Sequence, residues 1–196
     1  MKNLNQSFYE TDGITLAQNL LGKIIVRKYE DKIIKCIITE TEAYCGPEDK
    51  GCHAFDNKKT KRTFPMFLNG GKSYIYLIYG MYYCFNVVAN KEDIPHAVLI
   101  RSVEPIEGLE IIKKNRNIKS KKIEDLTNGP GKLCIALNID KNLNTYDLTL
   151  GEELYIEENS FNFEVVKSKR INIDYAEEYK DKLWRFYIKN NKFVSK

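Results

Sequence analysis

The chain has 196 residues, of which 43% are hydrophobic, and a formal net charge of +4. That is enough apolar material for one sizeable core, which excludes a disordered or fibrous chain. Its most apolar stretch, 74–89, falls short of the roughly 20 residues a helix needs to cross a bilayer, and no apolar leader follows the first lysine, so a soluble cytoplasmic protein is expected.

"TLAQNLLG" reads as a first helix, with Thr15 as N-cap and Gly22 just past its end. "KIIVRKY" and "KIIKCIITETEAY" are β-rich runs joined by the polar pair Glu30-Asp31, which predicts a hairpin. From Cys45 to Lys72 the composition turns polar, basic and glycine-rich, the mark of a long loop of the kind that carries function. The tyrosine-rich run "YIYLIYGMYYCFN" (74–86) and then "HAVLIRSVEP" follow as strand candidates. Pro105 is expected in the first turn of a helix over "PIEGLEIIKKNRN", with Ile106, Leu109 and Ile112 on its apolar face. "NGPGKLCIALNI" repeats that logic, with Asn128 as N-cap. The remainder reads as strands and turns, so one mixed α+β domain over residues 1–196 is expected.

Five cysteines (Cys36, Cys45, Cys52, Cys84, Cys134) are odd in number and unpaired in spacing, which points to reduced thiols. Cys45, Cys52 and His53 lack the close C-x2-4-C spacing of a structural zinc site, so no metal is expected. The weak net charge is unevenly spread. "NKKTKRT" (57–63) and "KKNRNIKSKK" (113–122) concentrate positive charge suited to a polyanion, although for the second block solvated lysine is the better reading.

Two segments carry chemistry. In "ITETEAY" a period of two places Ile38, Glu40, Glu42 and Tyr44 on one strand face. A solvated face would explain alternating glutamates by itself. A carboxylate held among aromatics beside an arginine could instead activate water. In "SYIYLIYG", Tyr74 and Tyr76 share one face, and Tyr79 sits at a turn with Gly80, where it would project outward. Aromatic walls with an exposed aromatic tip suit base stacking and wedging. For Tyr82 and Tyr83 a core strand with its hydroxyls at the surface is the simpler expectation.

Taken in order, "ETEAYCGPEDKGCHAF", "TKRTFPMF", "YIYLIYGMYYCFNVV", "VLIRSVEP" and "NGPGKLCIAL" resemble the motifs of the alkyladenine (methylpurine) type of 3-methyladenine DNA glycosylases. The resemblance implies an α+β fold around a curved, mainly antiparallel sheet with flanking helices, like the C-terminal domain of formyltransferases. It implies that Glu42 is the general base that activates the attacking water and Arg101 the arginine beside that water and carboxylate. Tyr44, Tyr76 and His53 would enclose a flipped base, Asn86 would floor the pocket and Tyr79 would wedge into the duplex. The implied activity is monofunctional hydrolysis of the N-glycosidic bond of a damaged purine in double-stranded DNA, by a monomer with no cofactor. Lys58, Lys59, Lys61, Arg62 and Lys132 are expected to meet phosphates. Cys45 and Tyr82 depart from the family pattern, and both are expected to shape the pocket mouth. A non-catalytic DNA-binding module and a small-molecule hydrolase are the alternatives. The first need not keep Glu42 with Arg101, and the second would not depend on duplex DNA.

Overall fold

A computed structural model describes residues 2–195. Two short helices, α1 (Gln6–Tyr9) and α2 (Gly13–Leu20), open the chain. α2 starts three residues before the expected position because Asp12, not Thr15, is its N-cap. Asp12 Oδ1 accepts from the amides of Ile14 (2.9 Å) and Thr15 (3.0 Å). The Thr15 hydroxyl in turn donates to Asp12 Oδ2 at 2.6 Å. A carboxylate here satisfies free amides and lies at the positive end of the helix dipole. Gly22 follows the helix with φ +78°, a left-handed position suited to glycine.

The expected hairpin is formed by β1 (Ile24–Tyr29) and β2 (Lys32–Cys45). β3 (Ser73–Ile78), β4 (Tyr82–Ala89) and β5 (His96–Glu107) complete the main sheet, whose order is β3-β4-β5-β2-β1 and then β6 (Leu154–Glu157). β7 (Val165–Ser168) pairs with β8 (Arg185–Ile188), which returns to β2, and every pairing is antiparallel. α2 and the later helices α3 (Leu109–Arg116) and α4 (Pro130–Ala136) supply Leu16, Leu20, Ile112 and Leu133 to a core shared with Ile38, Phe85 and Ile100 of the sheet. Among the described residues no helix is long and apolar enough to cross a membrane.

β2 is the spine of the fold, and its regular alternation breaks once. Its pairing with β5 shifts register between Ile38 and Glu40 and again between Glu40 and Thr41. Before the shift the even-numbered Ile34, Cys36 and Ile38 face the core; after it the odd-numbered Ala43 and Cys45 do. Ile38 therefore does not share a face with Glu42 and Tyr44, contrary to the period-two expectation. One inserted residue turns the second half of a strand over. The same point divides β2 between partners, with β1 along residues 32–37 and β8 along 40–42.

Two helix starts also differ from expectation. Pro105 and Ile106 belong to β5, and α3 begins only after Gly108, at φ +80°. Pro105 is tolerated because β4 pairs with β5 only from His96 to Leu99, leaving that edge without a ladder at Pro105. In α4 the N-cap is Gly129 and Pro130 opens the first turn, while Asn128 lies one residue outside. Replacing the α2 cap, Asp12→Ala, is expected to lower stability by about 1 kcal/mol in urea unfolding, and an unchanged midpoint would contradict its capping role.

Candidate active site

The second half of β2 places Glu42 and Tyr44 on one face of the sheet, and Glu40 joins them at the register shift. Arg101, on β5, is the extra residue between Ser102, which pairs with Glu40, and Ile100, which pairs with Thr41. Its guanidinium donates from Nε to Glu40 Oε1 (2.9 Å), from Nη1 to Glu42 Oε2 (3.2 Å) and from Nη2 to the Ser195 hydroxyl (3.2 Å). Both glutamates are fully buried. Burial disfavours the Arg101 cation, but the Glu42 and Glu40 carboxylates outweigh it and raise its pKa above the ordinary value. Burial alone would raise the pKa of Glu40; Arg101, the Ser195 amide and Arg185 prevail and hold it below the usual carboxyl range.

Glu42 accepts three hydrogen bonds. Arg101 and the Tyr44 hydroxyl (2.9 Å) share Oε2, and the backbone amide of Ile171 donates to Oε1 at 2.8 Å. A carboxylate offers about four acceptor positions, so one stays open to a further donor such as water. Burial, then the neighbouring Glu42 charge, push the Tyr44 hydroxyl well above its ordinary pKa, which keeps it a donor to Glu42.

Above this cluster lies a cavity of about 460 Å³. It is bounded by the end of β2, the long loop, the β3–β4 hairpin, the start of α4 and the segment from Ile171 to Tyr175. Glu42 itself does not line it; Tyr44, Arg101 and Ile171, its three partners, do. Tyr76 and His53 pack edge to face, with ring centroids 4.7 Å apart. Asn86 is buried and lines the same space, with Nδ2 donating to the Tyr74 carbonyl at 3.0 Å. Tyr44, His53, Tyr76, Asn86 and Arg101 are thus brought together around one cavity, with Glu42 beneath it.

His53 Nδ1 is 2.9 Å from the Tyr74 hydroxyl, and Arg62 Nη2 is 3.4 Å from Nε2. A guanidinium only donates, which leaves Nε2 as acceptor and Nδ1 as the protonated nitrogen. Burial and, secondarily, the Arg62 charge lower the His53 pKa to about 4, so the ring is neutral at physiological pH.

Tyr79 stands 74% exposed at the tip of the β3–β4 hairpin and also borders the cavity. The Met81 amide donates to the Ile78 carbonyl at 3.1 Å, closing a turn whose central residues, Tyr79 and Gly80, have φ +52° and +69°. A tyrosine in this left-handed conformation is unusual and sends its ring outward. Tyr82 differs from the expectation of a core tyrosine. It lines the cavity, and α4 can approach it because residue 131 is glycine, where an added Cβ would come within 2.9 Å of Tyr82 Cβ. Cys45, expected at the pocket mouth, instead faces α2 in the core.

The basic residues do not act as one group. Lys58 and Lys61 are exposed, Lys59 is paired with Asp93 at 2.9 Å, and Lys132 donates to Asn128 Oδ1 at 2.7 Å. Arg62 turns to the cavity, with Cζ 5.0 Å from the centre of the Tyr76 ring.

Sequence reasoning missed the last quarter of the chain. Arg170 forms a two-pronged, fully buried ion pair with Asp49 (2.5 and 2.8 Å). Its guanidinium also lies between Tyr44 and Trp184, 4.8 and 5.1 Å from the ring centres. Ile171, Asn172, Ile173 and Tyr175 then close one wall of the cavity. Arg185 donates to Glu40 at 2.6 Å, and the Ser195 amide does so at 2.7 Å. The W-R-F run around Arg185 was a visible signal. Arg170 had none, since its partner lies 121 residues away.

Comparison with known proteins identifies the family. The family model for methylpurine-DNA glycosylase matches residues 7–192. A protein of Natranaerobius thermophilus is 54% identical over 194 residues, covering 98% of both chains. A Clostridium novyi protein is 52% identical over the whole of both chains, and one from Clostridioides difficile is 50% identical over 94% of this chain and all of its own. All three carry the name "Putative 3-methyladenine DNA glycosylase". The chain belongs to the methylpurine-DNA glycosylase family.

Proposed function

We propose that this DNA glycosylase extrudes a damaged purine from duplex DNA into the aromatic cavity and hydrolyses its N-glycosidic bond with a water activated by Glu42. The observation that carries this reading is the Glu42–Arg101 ion pair, buried directly beneath a cavity walled by Tyr44, Tyr76 and His53. A base inside a duplex hides its glycosidic bond, and flipping it out costs a few kcal/mol. Tyr79, projecting from the hairpin tip, offsets part of that cost by filling the gap in the stack. The flipped base stacks between Tyr44 and Tyr76, and Asn86 meets its edge. Lys58, Lys59, Lys61 and Lys132 meet flanking phosphates.

Water occupies the remaining acceptor position of Glu42. As the bond from C1′ to the base nitrogen breaks, its electron pair leaves with the base and the sugar takes on oxocarbenium character. Glu42 removes the water proton as the oxygen bonds to C1′, leaving an abasic site. Arg101 orients Glu42 through Oε2, and Ile171 fixes its other oxygen. Among the described residues no lysine lines the cavity, in keeping with a monofunctional hydrolysis that leaves an intact abasic strand. 3-Methyladenine, 7-methylguanine, hypoxanthine and etheno-adenine in single-lesion duplexes are the substrates to compare.

Glu42→Gln is expected to lower base release by about 10²- to 10⁴-fold while binding to abasic DNA persists. Release at the wild-type rate would remove Glu42 from the chemistry, and loss of folding with binding would make it structural. Tyr79→Ser should slow excision from duplexes by roughly tenfold or more, with little change in thermal stability because the ring is exposed. Equal rates on a duplex lesion would refute the wedge.

A further inference from the structure

Two cations line the cavity, Arg62 and Arg101, and their surroundings differ. Arg101 is neutralised by Glu40 and Glu42. Arg62 has no carboxylate within ion-pair distance among the described residues. Its guanidinium rests over Tyr76 and reaches His53, the two rings that form one wall. Its charge is felt across the pocket, where it works against protonation of His53 and favours ionisation of Tyr74, Tyr76 and Cys84. No titratable group facing it supplies a negative charge, since His53 is neutral and burial raises the Tyr74 and Tyr76 pKa values. A base placed against Tyr76 and His53 therefore meets an unmatched positive charge that carries only donors.

We propose that Arg62 is a specificity residue of this site, favouring neutral oxopurines such as hypoxanthine over purines made cationic by ring alkylation. This rests on the glycosylase reading and refines its substrate class. When a neutral oxopurine departs, the electron pair of the breaking C–N bond leaves negative charge on the base. A guanidinium offsets that charge, and O6 and N7 are the purine acceptors arginine best matches. An N7-alkylated purine starts positive and leaves neutral. It develops no negative charge for Arg62 to stabilise, N7 is blocked, and its approach is opposed by like charge, an effect of about tenfold or more at this range after solvent screening. Tyr76, whose ring would otherwise favour a cationic base, already has the Arg62 guanidinium 5.0 Å from its centre.

The test compares apparent second-order excision constants on two otherwise identical duplexes, one with hypoxanthine and one with 7-methylguanine, for wild type, Arg62→Met and Arg62→Lys. Methionine keeps much of the stem and removes the charge. Arg62→Met is expected to lower the hypoxanthine to 7-methylguanine ratio by about tenfold or more, with Arg62→Lys falling between it and wild type. An equal loss on both lesions would assign Arg62 to a phosphate, and an unchanged ratio would remove it from recognition; either result overturns the inference while leaving the glycosylase intact. No excision by the folded wild type would overturn both.

Discussion

The structure depends on one buried guanidinium. Arg101 joins Glu40 and Glu42, two fully buried carboxylates whose removal from water calls for a matching cation. Arg185 supplies the second positive charge, so two anions and two cations balance in one place. Such an ensemble is a poor source of net stability, because desolvation offsets most of the attraction. What it provides is specificity of arrangement, since any member left alone would be an unpaired buried charge. Here it orients Glu42 with one acceptor position to spare.

The same cluster explains why the end of the chain matters. β8 lies beside the second half of β2, along residues 40–42, beyond the stretch that β1 occupies along 32–37. From β8 the chain returns to place Ser195 on Glu40 and Arg101. Upstream, Arg170 links Asp49 of the long loop to Tyr44 and Trp184, and the next residue caps Glu42. The long loop is therefore held at its start by a partner 121 residues away. Rigid support behind Tyr44 and Glu42 is what a site that positions a flipped base and a water requires.

Local sequence carried much of this. Alternation marked the strands, glycine and turn residues marked the ends of α2 and of the tyrosine hairpin, and the Tyr74/Tyr76 face was legible from period two alone. The motif resemblance singled out the residues that the structure gathers at the cavity. Three kinds of feature were not legible. The shift at Ile38–Thr41 leaves no trace in composition, so Ile38 was placed on the wrong face. Asp12 and Thr15 both suit an N-cap, and only the backbone decides between them. Arg170 and Ser195 act through partners far away in sequence, and in a lysine-rich, charged tail they look like solvated residues. Arg62 belongs to this group too: within "NKKTKRT" it reads as one more basic residue, yet of that run it alone, although partly exposed, borders the cavity.

The dependence of Glu42 on Arg101 is tested most directly by a double-mutant cycle in single-turnover excision, using Arg101→Met, Glu42→Gln and the pair, each first shown to be folded. If Arg101 acts through Glu42, the double variant should be about as slow as Glu42→Gln alone, a strongly non-additive result. Multiplicative losses would contradict that dependence and give the two residues separate roles.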